Sequence, residues 1–235
     1  PETVTGNAVY TARWEGVQNP VTFNAMGGSE MAAATVRTGE RITKPADDPT
    51  RDGYAFGGWY SDQNCTKKWD FSTEVTGAVT LFAKWTASAY TVTLNPMDGQ
   101  LMGDSTRTVT FGQPYGELPT PTLQGYNFAG WYTANDDSGK KVEADTVVET
   151  AGAHTLYAKW TPGDVAYTVK HLWQNVEDNE YTEHESDSLT GTVMTETAAK
   201  AKTYEGFGPA KEFAQTTIAP DGTTVIEIKY DRLTY

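Results

Sequence analysis

The sequence predicts a mainly β (α+β) fold, made of small modules arranged end to end. Each module is expected to hold four to five strands and at most one short helix. Similar sequence boxes return after roughly 70 residues, which is typical of a repeat architecture. Between Gly- and Pro-rich turns, β-branched and aromatic residues alternate with polar ones, as they do in half-buried strands.

Three sequence boxes occur twice and in the same order. The first pair is "VTFNAMGG" and "VTLNPMDG", the second "GYAFGGWY" and "GYNFAGWY", and the third "VTGAVTLFAKW" and "AGAHTLYAKW". The third box also matches "VTGNAVYTARW" at the N-terminus. Two complete repeat units are therefore predicted.

The boxes define the predicted modules. Residues 1–16 read as the closing strand of a truncated preceding repeat. Residues 17–87 form the first complete module and residues 88–162 the second. Residues 163–235 form a divergent third module, because "AYTVKHLWQ" parallels "AYTVTLNPM" and "TVIEIKYD" closes it as "TLYAKW" closes the second.

Helix signals are few. The segment "TETAAKAKTYEGF" (195–207) is the best candidate for the short helix, because it combines alanines with lysines. A module of this size without a disulfide buries a small fraction of its surface. The large aromatic side chains of the boxes are therefore expected to supply the core.

Composition excludes several functions. A formal net charge of −13 disfavours nucleic acid, whose phosphates attract clustered Lys and Arg. The single cysteine, Cys65, allows no internal disulfide and no multi-cysteine metal framework. No apolar run reaches the roughly 20 residues of a membrane helix, so no membrane insertion is expected from this segment. A signal peptide and anchor are expected outside it.

The ordered boxes resemble the Listeria–Bacteroides repeat, the B-repeat family of internalin-type surface proteins. The third module resembles repeats akin to those of mucin-binding proteins. The resemblance implies compact β-grasp-like modules in an extracellular, bacterial cell-surface setting. It implies no catalytic residues and no cofactor.

The aromatic and glycine positions of the boxes are predicted to be the structural core of the repeat. They are Trp14, Tyr54, Phe56, Gly58, Trp59, Tyr60, Trp85, Tyr126, Phe128, Gly130, Trp131, Tyr132 and Trp160. None of these residue types is a nucleophile or general base at neutral pH. The alternative interpretation is an aromatic platform that binds sugar or peptide.

Other candidate sites are weaker, and no metal site is predicted. His171 and His184 could pair across a hairpin, but two ligands make a poor metal site and exposed strand positions are the simpler reading. Cys65 has no histidine close in sequence to activate it. The turn "NDDSG" (135–139) is rich in oxygen ligands but lacks the spacing of a calcium loop, which favours a hairpin turn.

Acidic residues concentrate in the third module, in "NVEDNEYTEHESD" (175–187). A solvated hairpin is the simplest interpretation. A surface that faces a partner is the alternative, with Trp173, Tyr181, Glu183 and Asp187 as its candidate residues. Lys170 and Asp231 also lie on the predicted first and last strands, where a cross-link could join them.

The leading functional prediction is a non-catalytic stalk that projects an adhesive domain from the cell wall of a Gram-positive bacterium. Its partners would be the neighbouring repeats of the same chain. The alternative is that the modules themselves bind a host glycan or host protein. An enzyme is not predicted, since no catalytic triad, carboxylate pair or phosphate loop is evident.

Overall fold

The computed structural model describes residue 6, residues 11–12 and residues 15–234. Within these residues the fold is all-β, with thirteen strands and no helix. The strands are β1 Gln18–Asn24, β2 Ala34–Arg37, β3 Tyr54–Tyr60, β4 Val79–Ala87, β5 Ala89–Asn95, β6 Thr106–Thr110, β7 Tyr126–Tyr132, β8 Lys141–Val142, β9 His154–Pro162, β10 Asp164–Gln174, β11 Tyr181–Thr192, β12 Phe207–Ala210 and β13 Val225–Arg232. Most of the predicted closing strand at 1–16, including Trp14, lies outside the described residues.

The strands form three small sheets that follow one another along the chain. Their strand orders are β2-β1-β4-β3, β6-β5-β9-β7-β8 and β11-β10-β13-β12. In each sheet the first strand pairs in parallel with the last long strand: β1 with β4, β5 with β9, and β10 with β13. This parallel central pair, flanked by antiparallel neighbours, is the β-grasp-like arrangement that the repeat predicts.

Each sheet buries one face. Its centre is a pair of facing residues on the two parallel strands, Phe23 with Leu81 in the first sheet and Leu94 with Leu156 in the second. Both leucines of the last strands are fully buried. The alternating burial along these strands follows from the two-residue period of a β-strand, which sends successive side chains to opposite faces.

The third sheet repeats this pairing with a histidine. Its facing residues are His171 and Ile228, both fully buried. His171 therefore occupies the place that Leu94 takes in the second sheet. The prediction that His171 is an exposed strand position is wrong, because its side chain points to the core face of β10.

Irregular segments cover the buried faces of the sheets. The predicted helix over 195–207 is wrong. Its backbone amides are held by side chains: Tyr167 accepts from Ala198 N, Gln215 from Ala199 N, and Tyr230 from Lys202 N. These bonds replace the i→i−4 bonds of a helix, so the segment stays extended across the sheet.

The chain divides into two compact units. The first takes the described residues up to Ala89 together with 110–112 and 149–152. The second takes 90–109, 113–148 and the residues from 153 onward. No helix long and apolar enough to cross a bilayer occurs in the part of the chain that the structure describes.

Candidate functional site

The repeated Phe-x-x-Trp box packs in the same way in both repeats. The Phe56 ring meets Trp59 edge-on at 5.4 Å between centroids and lies 5.5 Å from Trp85. In the second repeat, Phe128 lies 5.6 Å from Trp131 and 5.5 Å from Trp160. Trp59 and Trp131 are only 2% and 3% exposed, so their rings offer no surface to a ligand.

A β-bulge shapes each of these boxes. The pairing of β3 with β4 shifts between Phe56 and Trp59, and Gly58 there has a positive φ of 108°. The pairing of β7 with β9 shifts between Phe128 and Gly130, where φ is 134°. The extra residue changes which face the following side chain takes, so the bulge places the phenylalanine and the tryptophan together on the core face.

The indole N–H groups differ between the copies. Trp131 Nε1 donates to the carbonyl oxygen of Pro119 at 2.8 Å. Trp59 Nε1 is buried with no hydrogen-bond partner. The buried indole N–H is therefore hydrogen-bonded in the second repeat and has no partner in the first. The contribution of this tryptophan to the free energy of unfolding thus differs between the two repeats.

The tyrosines of the boxes lie apart from the hydrophobic clusters that hold the tryptophans. Tyr54, Tyr60, Tyr126 and Tyr132 are half-buried and belong to neither cluster. On β3 and β7 the strand period sends Tyr60 and Tyr132, the tyrosines that directly follow the tryptophans, to the face opposite the core.

On that opposite face each repeat carries the same row of side chains. In the first sheet, Phe82 is the cross-strand neighbour of both Asn24 and Tyr60. The Lys84 ammonium lies 5.1 Å above the centre of the Tyr60 ring. We call the repeated arrangement the outer-face row.

The second sheet has the matching outer-face row. Tyr157 is the neighbour of both Asn95 and Tyr132, and Lys159 Nζ lies 4.7 Å above the Tyr132 ring. Sequence analysis singles out the tyrosines, but not their alignment with the asparagines and the lysines. The alignment results from how the neighbouring strands pair, and the spacing of the boxes in the sequence does not reveal that pairing.

The third sheet carries a polar cluster on its core face. His171 Nδ1 lies 2.8 Å from the Tyr230 hydroxyl, and His171 Nε2 lies 3.2 Å from Asp187 Oδ2. Lys202 Nζ is 2.7 Å from Asp187 Oδ1 and 3.3 Å from Glu185. A buried histidine thus shares its carboxylate partner with a lysine.

Both ring nitrogens of His171 have a hydrogen-bond partner. Nδ1 faces the Tyr230 hydroxyl and Nε2 faces the Asp187 carboxylate. The Tyr230 hydroxyl also accepts a hydrogen bond from the Lys202 backbone N–H at 2.9 Å. The buried imidazole therefore leaves no polar atom unsatisfied, as a buried polar group requires.

Hydrogen bonds around this cluster lower the pKa values of its two carboxyl groups. The hydrogen bond from Lys202 lowers the pKa of the Asp187 carboxyl below its ordinary value. The hydrogen bonds from the Tyr204 hydroxyl and from Lys202 lower the pKa of Glu185. Both carboxylates are therefore ionised at neutral pH and anchor the loop that covers the sheet.

The four residues proposed to face a ligand are engaged within the chain. The Trp173 ring stacks on His184 with 3.3 Å between centroids, and Glu183 pairs with Lys170 at 2.9 Å. Tyr181 lies beneath two lysines, and Asp187 holds the cluster described above.

The weaker candidates also have other roles. His171 and His184 do not form a metal pair, since one binds Asp187 and the other stacks on Trp173. The described residues hold no group of three or more potential ligands placed to bind a metal ion. Lys170 pairs with Glu183 while Asp231 pairs with Lys211, so the proposed cross-link partners are not in contact.

Two turns have structural explanations. In the acidic turn, Ser138 donates to the Asp136 carboxylate, and Lys159 Nζ donates to the Asp136 carbonyl oxygen. Both the carboxylate and the carbonyl oxygen of Asp136 are therefore hydrogen-bonded within the chain. Cys65 sits in a turn with a positive φ of 52°, and its Sγ lies 3.8 Å from the Ala83 carbonyl oxygen.

Comparison with known proteins identifies the repeat. The sequence profile of the Listeria-Bacteroides repeat domain matches residues 20–84 and 90–159, which correspond to the first and second sheets. The resemblance to this family is confirmed. The third sheet lies beyond the matched residues, so its likeness to mucin-binding repeats stays a prediction.

Three relatives are longer proteins. A putative Gly-rich membrane protein of Evansella cellulosilytica is 35% identical over 159 residues, which is 67% of this chain and 18% of that protein. A putative membrane protein of the same organism is 35% identical over 166 residues, 67% of this chain and 24% of that protein. Internalin H of Listeria monocytogenes is 39% identical over 137 residues, 57% of this chain and 24% of that protein. The chain spans less than a quarter of their lengths.

The two tryptophans of the boxes provide a matched pair of substitutions. Trp131→Phe removes a hydrogen bond to Pro119, whereas Trp59→Phe removes a donor that has no partner. Both leave similar cavities, so we expect Trp131→Phe to lower the free energy of unfolding by about 1 kcal/mol more. Urea denaturation of each variant measures the difference. Equal costs would contradict the assignment.

The Asp187 cluster predicts a pH dependence. Because the pKa of Asp187 is lowered from 3.8 in the folded protein, its ionised form stabilises the third sheet at neutral pH. This stabilisation is lost as the pH falls below 3.8 and through the lower folded-state value. The stability difference between wild type and Asp187→Asn should therefore be largest above pH 5 and shrink in acid.

Glu183→Gln is the control for that experiment. It removes an ion pair with Lys170 whose two side chains are more than a third exposed, and exposed pairs contribute little. Acid titration of both variants, followed by circular dichroism, separates the two carboxylates. A pH-independent effect of Asp187→Asn would refute the role of its charge.

Proposed function

This chain belongs to the Listeria-Bacteroides repeat family, and from that premise we propose that it is a non-catalytic spacer of a bacterial cell-surface protein. In this role its modules project a binding domain from the cell wall. The proposal rests on one observation. In both copies, the phenylalanine and the tryptophan of the Phe-x-x-Trp box pack against each other in the core of their own sheet.

The modules of the spacer are residues 17–87, 88–162 and 163–235. The limits are supported by the linkers between sheets, because one residue separates β4 from β5 and one separates β9 from β10. Phe56, Trp59, Trp85 and their counterparts form the repeated core. Neighbouring modules are the principal partners.

An extracellular location is supported by the relatives. One of them is named an internalin and two are named putative membrane proteins. All three are more than four times as long as the stretch they share with this chain, which fits a repeat region set within a larger protein. Adhesion would then be the task of another domain of the parent protein.

A non-enzymatic role is supported by the polar cluster of the third sheet. His171 is fully buried and its two ring nitrogens already face Tyr230 and Asp187. A general base needs access to the proton that it removes. The cluster instead joins β10, β11 and β13 to the covering loop.

The spacer proposal predicts an extended molecule in solution. A single globule of 235 residues has a radius of gyration near ~17–18 Å, whereas three modules in a row exceed ~25 Å. Small-angle X-ray scattering of the full chain measures this value, and we expect the larger one. A radius close to the smaller value would refute the spacer role.

A second candidate function is ligand binding by the modules themselves. The outer-face rows favour it, because Asn, an aromatic residue, Tyr and Lys recur together on a face that the core does not use. Aromatic rings flanked by amide and ammonium donors suit a sugar ring or an extended peptide. Such a ligand would be a host glycan or host protein.

The outer-face rows can be tested with a glycan array and immobilised extracellular host proteins. If the rows bind, the Tyr60→Ala/Tyr132→Ala double variant should lose at least tenfold in affinity, while Tyr60→Phe/Tyr132→Phe keeps the ring and most of the binding. Circular dichroism verifies that the variants fold. No binding by the wild-type chain would eliminate this candidate and leave the spacer role.

A further inference from the structure

The first sheet has an open cavity beside its edge strand, β3. The cavity has a volume of about 390 Å³ and lies where β3 bulges and Lys68 pairs with Tyr60. Three half-buried aromatic rings line it, those of Phe56, Trp69 and Phe71. Its size and its apolar walls are typical of sites that bind small molecules.

The second sheet has a cavity at the same place. Its volume is about 410 Å³, and the phenylalanine, tryptophan and bulge glycine of the repeated box line it as they line the first. Its outer wall differs, because Val142 and Ala144 stand where the first repeat has Trp69 and Phe71. The extra aromatic rings are therefore a property of the first cavity and not of the repeat.

A lysine lies over the bulge glycine in both cavities. A Cβ added to Gly58 would fall 3.0 Å from Lys68 Cε and 3.6 Å from its Nζ. A Cβ added to Gly130 would fall 2.5 Å from Lys141 Cε. Lys141 Nζ pairs with Glu143 at 2.9 Å, whereas Lys68 forms no ion pair with any residue that the structure describes. The lysine of the second cavity thus has its own counter-ion, and the lysine of the first does not.

The charged residues that line the two cavities give them opposite signs. Besides Lys68, the first is lined by Lys44 and Asp48, which pair with each other at 3.5 Å. Its lining therefore carries one net positive charge. The second is lined by one lysine and two glutamates, so its lining carries one net negative charge. A positive cavity in a chain with a net charge of −13 favours an anionic ligand.

Two hydrogen-bond donors of the first cavity also lack an acceptor. The indole N–H groups of Trp59 and Trp69 are buried and have no partner among the described residues, and an unpaired buried donor is costly. In the second repeat, Trp131 donates to the Pro119 carbonyl oxygen. Apart from Asp48, every polar side chain that lines the first cavity is a donor. The complementary ligand therefore supplies acceptor oxygens.

We propose that the cavity of the first repeat binds a small carboxylate that carries an aromatic or other apolar body. The carboxylate pairs with the Lys68 ammonium over the bulge, and the body packs against Phe56, Trp69 and Phe71. A fully polar anion leaves these rings without a partner, and an uncharged apolar molecule leaves the lysine without one. The proposal goes beyond the spacer role, and its residues are not those of the outer-face rows.

The test is a titration of the full chain with 3-phenylpropionate, followed by ¹H–¹⁵N NMR. We expect saturable shifts of the backbone amides of Gly57, Gly58 and Trp69, with a dissociation constant in the low millimolar range, as suits a ligand of this size. The amides of Gly130 and Val142 should not shift, so the second cavity is a control within the same sample. Acetate lacks the ring and 3-phenylpropanol lacks the charge, so each should bind at least tenfold more weakly.

Two neighbouring lysines provide matched variants. Lys67 and Lys68 are both exposed, but only Lys68 lines the cavity. We expect Lys68→Gln to weaken the binding of 3-phenylpropionate at least tenfold, because it removes a charged hydrogen bond to the carboxylate. Lys67→Gln should weaken it less than threefold, and Lys68→Arg should keep most of the binding. Spectra without ligand verify that each variant folds.

Three results would overturn the proposal. The first is the absence of saturable shifts at Gly57, Gly58 and Trp69. The second is an affinity that Lys68→Gln leaves unchanged. The third is equal binding of 3-phenylpropionate and either acetate or 3-phenylpropanol, since the site would then not recognise both the charge and the ring. Failure here leaves the scattering test of the spacer untouched, because scattering measures the extension of the chain and not the occupancy of a cavity.

Discussion

The parallel pairing of the first and last long strands is the constraint on which each sheet depends. A parallel pair cannot be closed by a tight turn, so the chain between the two strands must cross over the sheet. In this protein the crossing segments are irregular and carry the residues that cover the core, such as Ile42, Tyr115 and Ala199. Strand order, core and covering loops therefore follow from one pairing.

The same pairing explains why the repeat tolerates change. The central facing pair is Phe23 with Leu81 in the first sheet, Leu94 with Leu156 in the second, and His171 with Ile228 in the third. The third sheet admits a histidine there because Tyr230 and Asp187 satisfy both of its nitrogens. A polar residue is tolerated in a core when every one of its hydrogen bonds is made.

Sequence reasoning reached the fold class and the repeat because both depend on local signals, the strand period and the recurrence of boxes. It failed where a side chain's surroundings depend on partners distant in sequence. The helix predicted over 195–207 is displaced by hydrogen bonds that its backbone amides donate to Tyr167, Gln215 and Tyr230. Tyr60 and Tyr132 are predicted as core residues because they recur in both boxes. The pairing of their strands places them instead on the face opposite the core.

Parallel central strands also determine how a sheet bears load. Since β1 and β4 run in the same direction, the chain enters at one end of the sheet and leaves at the other. A force that pulls on the two ends therefore slides the strands along each other, and the hydrogen bonds between them resist together instead of opening one after another. β10 and β13 share this geometry over six paired positions. Pulling on its two ends would therefore load each sheet in shear, along the direction of its paired strands.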